Sequence, residues 1–370
     1  MPFGSEGVED GVGLALSGSG FRASLFHVGV VWRLNELGWL PWIDRISSVS
    51  GGSITAAVLG RGWNRLEFEG SVARNLREIL TEPLLEFTQR NIDTRAVITG
   101  SLLPGTSSAS AVEKQYARHL LGDADLGSLP DRPRFVFNAT NMTTGSNWRF
   151  QKPYAGDCRL GLIRNPRFAL STVVAASAAF PPVLSPMVLD LDPASLEPTD
   201  GLDLHDEKPM RRTVVLADGG IYDNLALESI WKRYRTLLVS DAGGSPSIEF
   251  GPKRLWHNQV HRAYSLTTEQ DRDLRRRILY EGFRSGERGG AYWLIRWPVE
   301  KFRATGVLPV APRWPRELSE LRTRLNRFSA AEQRHLINWG YALADAAVRR
   351  RVQDLTVPAV WPFQDYALAS

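Results

Sequence analysis

The sequence predicts an α/β fold: a three-layer α/β/α arrangement around a mainly parallel central sheet. Two observations carry this. Apolar runs at 12–18 and 43–49 each end in a turn of small residues, "SGSG" (17–20) and "SVSGG" (48–52). Each turn leads into a segment with helical spacing of its apolar residues. Strand, glycine turn and helix, twice in succession, imply parallel strands joined by right-handed crossovers.

The elements follow in order. "VGLALSG" (12–18) reads as a buried strand. Phe21, Leu25, Val28, Val31, Trp32 and Leu37 recur at helical spacing, so a helix is expected over 21–37. "GWLP" ends it, with Gly38 past the last turn and Pro41 beyond. "IDRISSV" is the second strand and "SITAAVLGRGW" a second helix of small apolar residues. Residues 65–125 read as a mainly helical insertion covering the sheet, a candidate lid, with a loop at 98–110. Strands resume at 134–142 and 148–153. A helix of small residues is expected within 167–187, stopped by Pro181 and Pro182, and a polar loop over 190–211. "TVVLADGG" (213–220), a helix at 225–234 and a strand at 236–244 complete a core spanning 11–244. Residues 245–355 are expected to form a helical extension packed on that core, with Ser329 as a helix N-cap and Gln333 near the third helical position.

Composition bounds the function. A 370-residue chain with 43% hydrophobic and 23% charged residues is that of an ordinary globular protein. No run approaches the about 20 apolar residues of a membrane span. The first twenty residues carry three acids and no basic stretch, unlike a secretory signal. One cysteine, Cys158, fits a reducing compartment. The expected setting is the cytoplasm, with peripheral contact to a membrane. The net charge of +5 is concentrated in the arginine runs 275–277 and 349–351, which read as solvated helix faces or as attraction to anionic headgroups. No nucleic-acid signature accompanies them, so no nucleic-acid partner is expected. The spacing of the single cysteine and six histidines matches no metal site.

Three turns could carry chemistry. In "SGSGFRAS" (17–24), consecutive amides at a helix start can hold an anion. Gly18 to Ala23 also fits a dinucleotide fingerprint, but that fingerprint needs an acid at the end of the second strand, and Ser47 and Ser48 stand there. "SVSGG" (48–52) resembles a nucleophile elbow with serine in place of the first glycine. Strand and helix pass so close in such an elbow that only small residues fit on either side of its central residue, here Ser50. "ADGG" (217–220) offers Asp218 at a strand end, or a plain Asp-Gly turn. A serine hydroxyl needs a base. His257, His261 and His335 follow Asp218 in the chain, but none lies in a glycine-marked loop. The alternative is that Asp218 is itself the base, in a site apolar enough to raise its pKa. A non-catalytic anion-binding module is the competing class.

Taken together these motifs resemble the patatin-like phospholipase family. That family combines a G-G-G-x-R/K-G oxyanion loop, a G-x-S-x-G elbow and a downstream D-G-G/A aspartate. "NATNMTTG" (138–145), "ASAAFPPVLSPM" (176–187) and "DGGIYDNLAL" (218–227) are further family-like segments, and the likeness covers roughly 11–244. The resemblance implies a patatin-like fold, a Ser–Asp dyad of Ser50 and Asp218, and an oxyanion hole at Gly18, Ser19 and Gly20. Arg22 would orient the loop or meet a phosphate; a helix-surface arginine paired with an acid is the plainer alternative. Ser19, Ala23 and Ser48 replace family glycines, each by a small residue. The implied activity is hydrolysis of phospholipids or other acyl-ester lipids through an acyl-enzyme, with no cofactor and no calcium.

Overall fold

The computed structural model describes residues 7–93, 108–199, 203–244, 251, 255–352 and 357–370. The strands are β1 (Glu9–Leu16), β2 (Ile43–Val49), a small hairpin of β3 (Phe68–Glu69) and β4 (Val72–Ala73), β5 (Arg134–Asn141), β6 (Asn147–Gln151), β7 (Tyr154–Asp157), β8 (Gly161–Arg164), β9 (Met187–Asp190), β10 (Leu196–Glu197), β11 (Thr213–Asp218), β12 (Tyr234–Asp241) and β13 (Gly289–Leu294). The longer helices are α1 (Gly20–Glu36), α2 (Gly51–Gly62), α3 (Ser108–Tyr116), α4 (Leu170–Ser177), α5 (Trp256–Ser285) and α6 (Ala330–Arg351).

All strands but β3 and β4 join one sheet. Its core, β5-β2-β1-β12-β13, is parallel throughout. Beyond β5 the sheet continues antiparallel through β6, β7, β8 and β10. Gly13 on β1 presses against Ile230, in a short helix at Glu228–Trp231. Neighbouring strand residues point to opposite faces, so helices cover both sides of the sheet.

Residues beyond 244, read as helical, also supply a strand: β13 extends the parallel core beside β12. Helix α6 then packs along α1. The two approach so closely that a Cβ on Gly29 would lie 1.8 Å from the Ile337 carbonyl, and one on Gly340 1.9 Å from that of Phe26. The fully buried Arg33 and Asp345 pair across the contact at 2.7 Å. The capping box at Ser329 uses Glu332 at the third helical position. Gln333 instead turns inward to donate to the Leu85 carbonyl and the Thr88 hydroxyl, both at 2.7 Å.

The insertion at 65–125 opens with the β3–β4 hairpin and then turns helical. Phe87 touches Phe21 of α1 at 5.7 Å and Tyr116 at 5.6 Å, so the described helical parts pack into the core. The loop expected at 98–110 falls mostly on 94–107, outside the described residues. The helix expected within 167–187 ends at Ser177, and the one expected at 225–234 is only the Glu228–Trp231 turn. The polar stretch 190–211 contributes strand β10.

Candidate active site

Sheet register brings Ser50 and Asp218 together. β6 occupies one edge of β5 over residues 137–140, so β2 and β11 must share the other. They meet there head to head: Val49 of β2 pairs with Asn138, and Asp218 of β11 with Ala139, the next residue. Ser50, which follows β2, therefore emerges at the tip of β11. The elbow and the aspartate arrive from opposite directions, since β11 runs antiparallel to β5.

The elbow is strained. Ser50 has φ 52° and ψ −119°, a region that favours glycine. A Cβ on Gly51 would sit 2.1 Å from the Gly20 carbonyl, and one on Gly52 2.3 Å from that of Leu16. Small polar side chains hold the turn from beneath. Ser177 accepts from the Ser50 amide at 3.0 Å and donates to the Asn138 carbonyl at 2.7 Å. Ser48, where the motif has glycine, accepts from Ser53 at 3.0 Å. Asn138 donates to Ser47 Oγ and the Ser48 carbonyl. Asn138, Ser53 and Ser177 had no role in the sequence reading; the family-like "NATNM" and "ASAAF" segments were the only signal.

The register sets the Ser50 hydroxyl beside the Asp218 carboxylate, whose charged form it favours. Asp218 is buried, and its Oδ1 also accepts from the Gly220 amide at 2.7 Å. Burial pushes its pKa from 3.8 up to about 6, partly offset by the hydrogen bonds from Gly220 and Ser50. The carboxylate is thus moved to where it can exchange a proton near neutrality.

The loop ahead of α1 faces this pair. The Gly18 amide donates to the Asn224 carbonyl at 3.1 Å, so it braces the loop and is not available to a ligand. Ser19 and Gly20, at the head of α1, line the cleft, and their amides have no intrahelical acceptor. Ser19 takes φ 134° and Gly20 φ 56°. A Cβ on Gly20 would meet the Thr323 carbonyl at 1.7 Å, so a segment near the C-terminus is seated directly on the loop.

Arg22 makes that seating firm and is not a surface arginine paired with an acid. Its buried guanidinium donates to the carbonyls of Ser319 (2.6 Å), Leu321 (2.8 Å) and Ala242 (2.9 Å). Burial, with nearby Arg272 adding to it, lowers its pKa to about 10.

The cleft over Ser50 encloses ≈ 1230 Å³. Ala178, Phe180, Val183 and Leu184, just past α4, form an apolar wall; α5 and residues 316–325 form a wall rich in arginine. Of the insertion, only Asp93 reaches the cleft among the described residues. No histidine lines it among them either. His27 is buried behind the loop, bonded through Nε2 to the Ser17 carbonyl and through Nδ1 to Ser240 Oγ; burial drops its pKa to about 4. His335 stacks on Trp314. The side chains of His257 and His261 lie outside the described residues. Among the described residues no cluster of acids, histidines and cysteines could hold a metal ion, and no helix is long and apolar enough to cross a membrane.

No curated protein matches the chain. Among solved structures, human GIVD cytosolic phospholipase A2 in complex with methyl gamma-linolenyl fluorophosphonate matches with TM-score 0.50 at 14% identity, covering 91% of this chain and 57% of that one. The same human protein with that inhibitor and terbium chloride matches with TM-score 0.51 at 13% identity and the same coverage. VipD from Legionella pneumophila overlaps 92% of this chain and 67% of its own at 14% identity, with TM-score 0.38. The chain thus spans little more than half the length of the human structures, and at these identities the likeness is one of fold. The patatin-like phospholipase model matches residues 14–231, more than half of the chain and the stretch that holds the loop, the elbow and the aspartate. The chain belongs to the patatin-like phospholipase family.

Proposed function

We propose that the protein is a serine acyl hydrolase that cleaves fatty-acyl esters of phospholipids or related lipids with a dyad of Ser50 and Asp218. The observation that carries this reading is the meeting of the strained elbow residue Ser50 with the buried Asp218 carboxylate in one cleft, the carboxylate's pKa being raised to about 6. Asp218 takes the hydroxyl proton as Ser50 attacks the ester carbonyl, and the alcohol leaves with that proton. A water then gives its proton to Asp218 and attacks the acyl-enzyme, and the fatty acid departs as Asp218 returns that proton to the Ser50 oxygen. The oxyanion of each tetrahedral intermediate is held by the Ser19 and Gly20 amides, an effect of roughly 3–4 kcal/mol per donor. The acyl chain lies along Phe180, Val183 and Leu184. The human structural neighbour was solved with methyl gamma-linolenyl fluorophosphonate, and the apolar wall beside Ser50 supports a similar lipid ligand here. Action on lipid from the cytoplasm, in peripheral contact with a membrane, is part of the proposal.

The test is labelling with a fluorophosphonate probe. Native protein should label and Ser50→Ala should not, with hydrolysis of acyl esters reduced by more than about a thousandfold. Equal labelling of the variant removes Ser50 from the role. Tight binding of a phosphorylated ligand with no hydrolysis of short or long acyl esters would favour an anion-binding module instead.

A further inference from the structure

We propose that the cleft selects its lipid by charge, taking esters with a net-negative phosphate headgroup at Arg296 and disfavouring choline-type headgroups. This rests on the acyl-hydrolase reading of the site. Glu269 of α5 is shared by three guanidinium groups: Arg272 at 2.5 Å, Arg276 at 3.6 Å and Arg296 at 3.9 Å. Arg272 has a second acid in Asp241 at 3.8 Å, and Arg276 a second in Asp273. Arg296, with its side chain 36% exposed in the cleft wall, has only the far side of Glu269 among the described residues. Its charge is the least neutralised of the three. Lys301 feels it: burial and the nearby Arg296 and Arg276 lower its pKa.

The carboxylates of the cleft are already engaged. Asp218 accepts from the Gly220 amide and faces Ser50. Asp93 holds Arg324 at 2.8 Å, Glu320 holds Arg316 at 3.1 Å, and Glu269 is shared as above. Six arginines and four acids line the cleft among the described residues; Arg272 and Arg322 are also paired with Asp241 and Glu332 behind it, so the positive charge a headgroup ammonium would meet is chiefly that of Arg296. A phosphate would meet a planar guanidinium suited to two-point binding. The apolar wall opposite takes the acyl chain. Arg296, Glu269 and Arg316 all lie outside the stretch matched by the family model, 14–231. The selectivity is therefore a feature of this chain's own C-terminal part.

The experiment measures binding of dihexanoyl phosphatidylglycerol and dihexanoyl phosphatidylcholine to Ser50→Ala protein by calorimetry, both below their micelle-forming concentrations so that no charged surface contributes. A charge-assisted contact predicts about tenfold tighter binding of the glycerol lipid. The ratio should fall toward one in Ser50→Ala/Arg296→Gln and in about 0.5 M salt, and persist in Ser50→Ala/Arg296→Lys. Equal affinities, no measurable binding of either lipid, or a preference that survives Arg296→Gln would overturn the proposal. Should the glycerol lipid bind preferentially while Ser50 protein cleaves neither ester, the headgroup site stands and the hydrolase reading falls.

Discussion

Asp218→Asn should stabilise the fold at alkaline pH while abolishing turnover. Burial raises the folded carboxyl from 3.8 to about 6, whereas the unfolded chain ionises near the ordinary value. The folded state therefore holds the proton more tightly. Above pH 6 both states are ionised and the fold carries the full cost of the buried charge, about 3 kcal/mol for a gap of about 2.2 pH units. As pH falls below 6 the folded carboxyl takes up its proton first, and the cost shrinks to about 0.5 kcal/mol at pH 4. Asparagine never carries the charge, and its oxygen can still accept from Gly220. Losing one acceptor for Ser50 returns about 1 kcal/mol. The net expectation is a gain of about 2 kcal/mol at pH 8 that vanishes by pH 4. Guanidinium denaturation of both proteins at the two pH values measures it, provided the m-values agree. In parallel, kcat/KM of native protein on a soluble acyl ester should rise with pH, with a midpoint near 6, because the free base must be ionised. A stability difference that does not change between pH 8 and pH 4, or a rate midpoint near 4, would refute the reasoning.

Other perturbations probe the frame around the dyad. Ser19→Gly should stabilise by about 1 kcal/mol in thermal or chemical denaturation, because serine is held at φ 134° where glycine is unstrained. Gly340→Ala places a methyl 1.9 Å from the Phe26 carbonyl; we expect a loss of about 3 kcal/mol and, since α1 carries the anion loop, a fall in activity with it. Ser329→Ala removes half of the capping box of α6 and should cost about 1 kcal/mol without changing kcat.

The parts of the site that are local in sequence were legible. Strand, small-residue turn and helix were readable at 12–37 and 43–63, because close passage of strand and helix leaves no choice but small residues there. Asp218 was readable from its Asp-Gly-Gly context. Its antiparallel approach was not, because the pairing of β11 with β5 depends on register between segments far apart in the chain. The helix of 167–187 was overextended because small residues suit a helix locally, whereas the chain leaves it at Ser177 to bring Phe180 to the cleft. That the Gly18 amide is taken by the Asn224 carbonyl was not legible, because only tertiary structure shows it. The choice between an Arg22 that orients the loop or meets a phosphate and one on the helix surface was open for the same reason: its partners, Ser319 and Leu321, come from far along the chain.

The order β5-β2-β1-β12-β13 sets an early strand between a neighbour made soon after it and one made late. Translation delivers Ser50 and then Asp218 long before β13, the Thr323 carbonyl that seats on Gly20, and helix α6 beneath α1. A chain still on the ribosome, or one cut short by premature termination or proteolysis after β11, holds both Ser50 and Asp218 but neither the arginine wall nor the Thr323 contact on the loop ahead of α1. The cleft is thus assembled from both ends of the described chain.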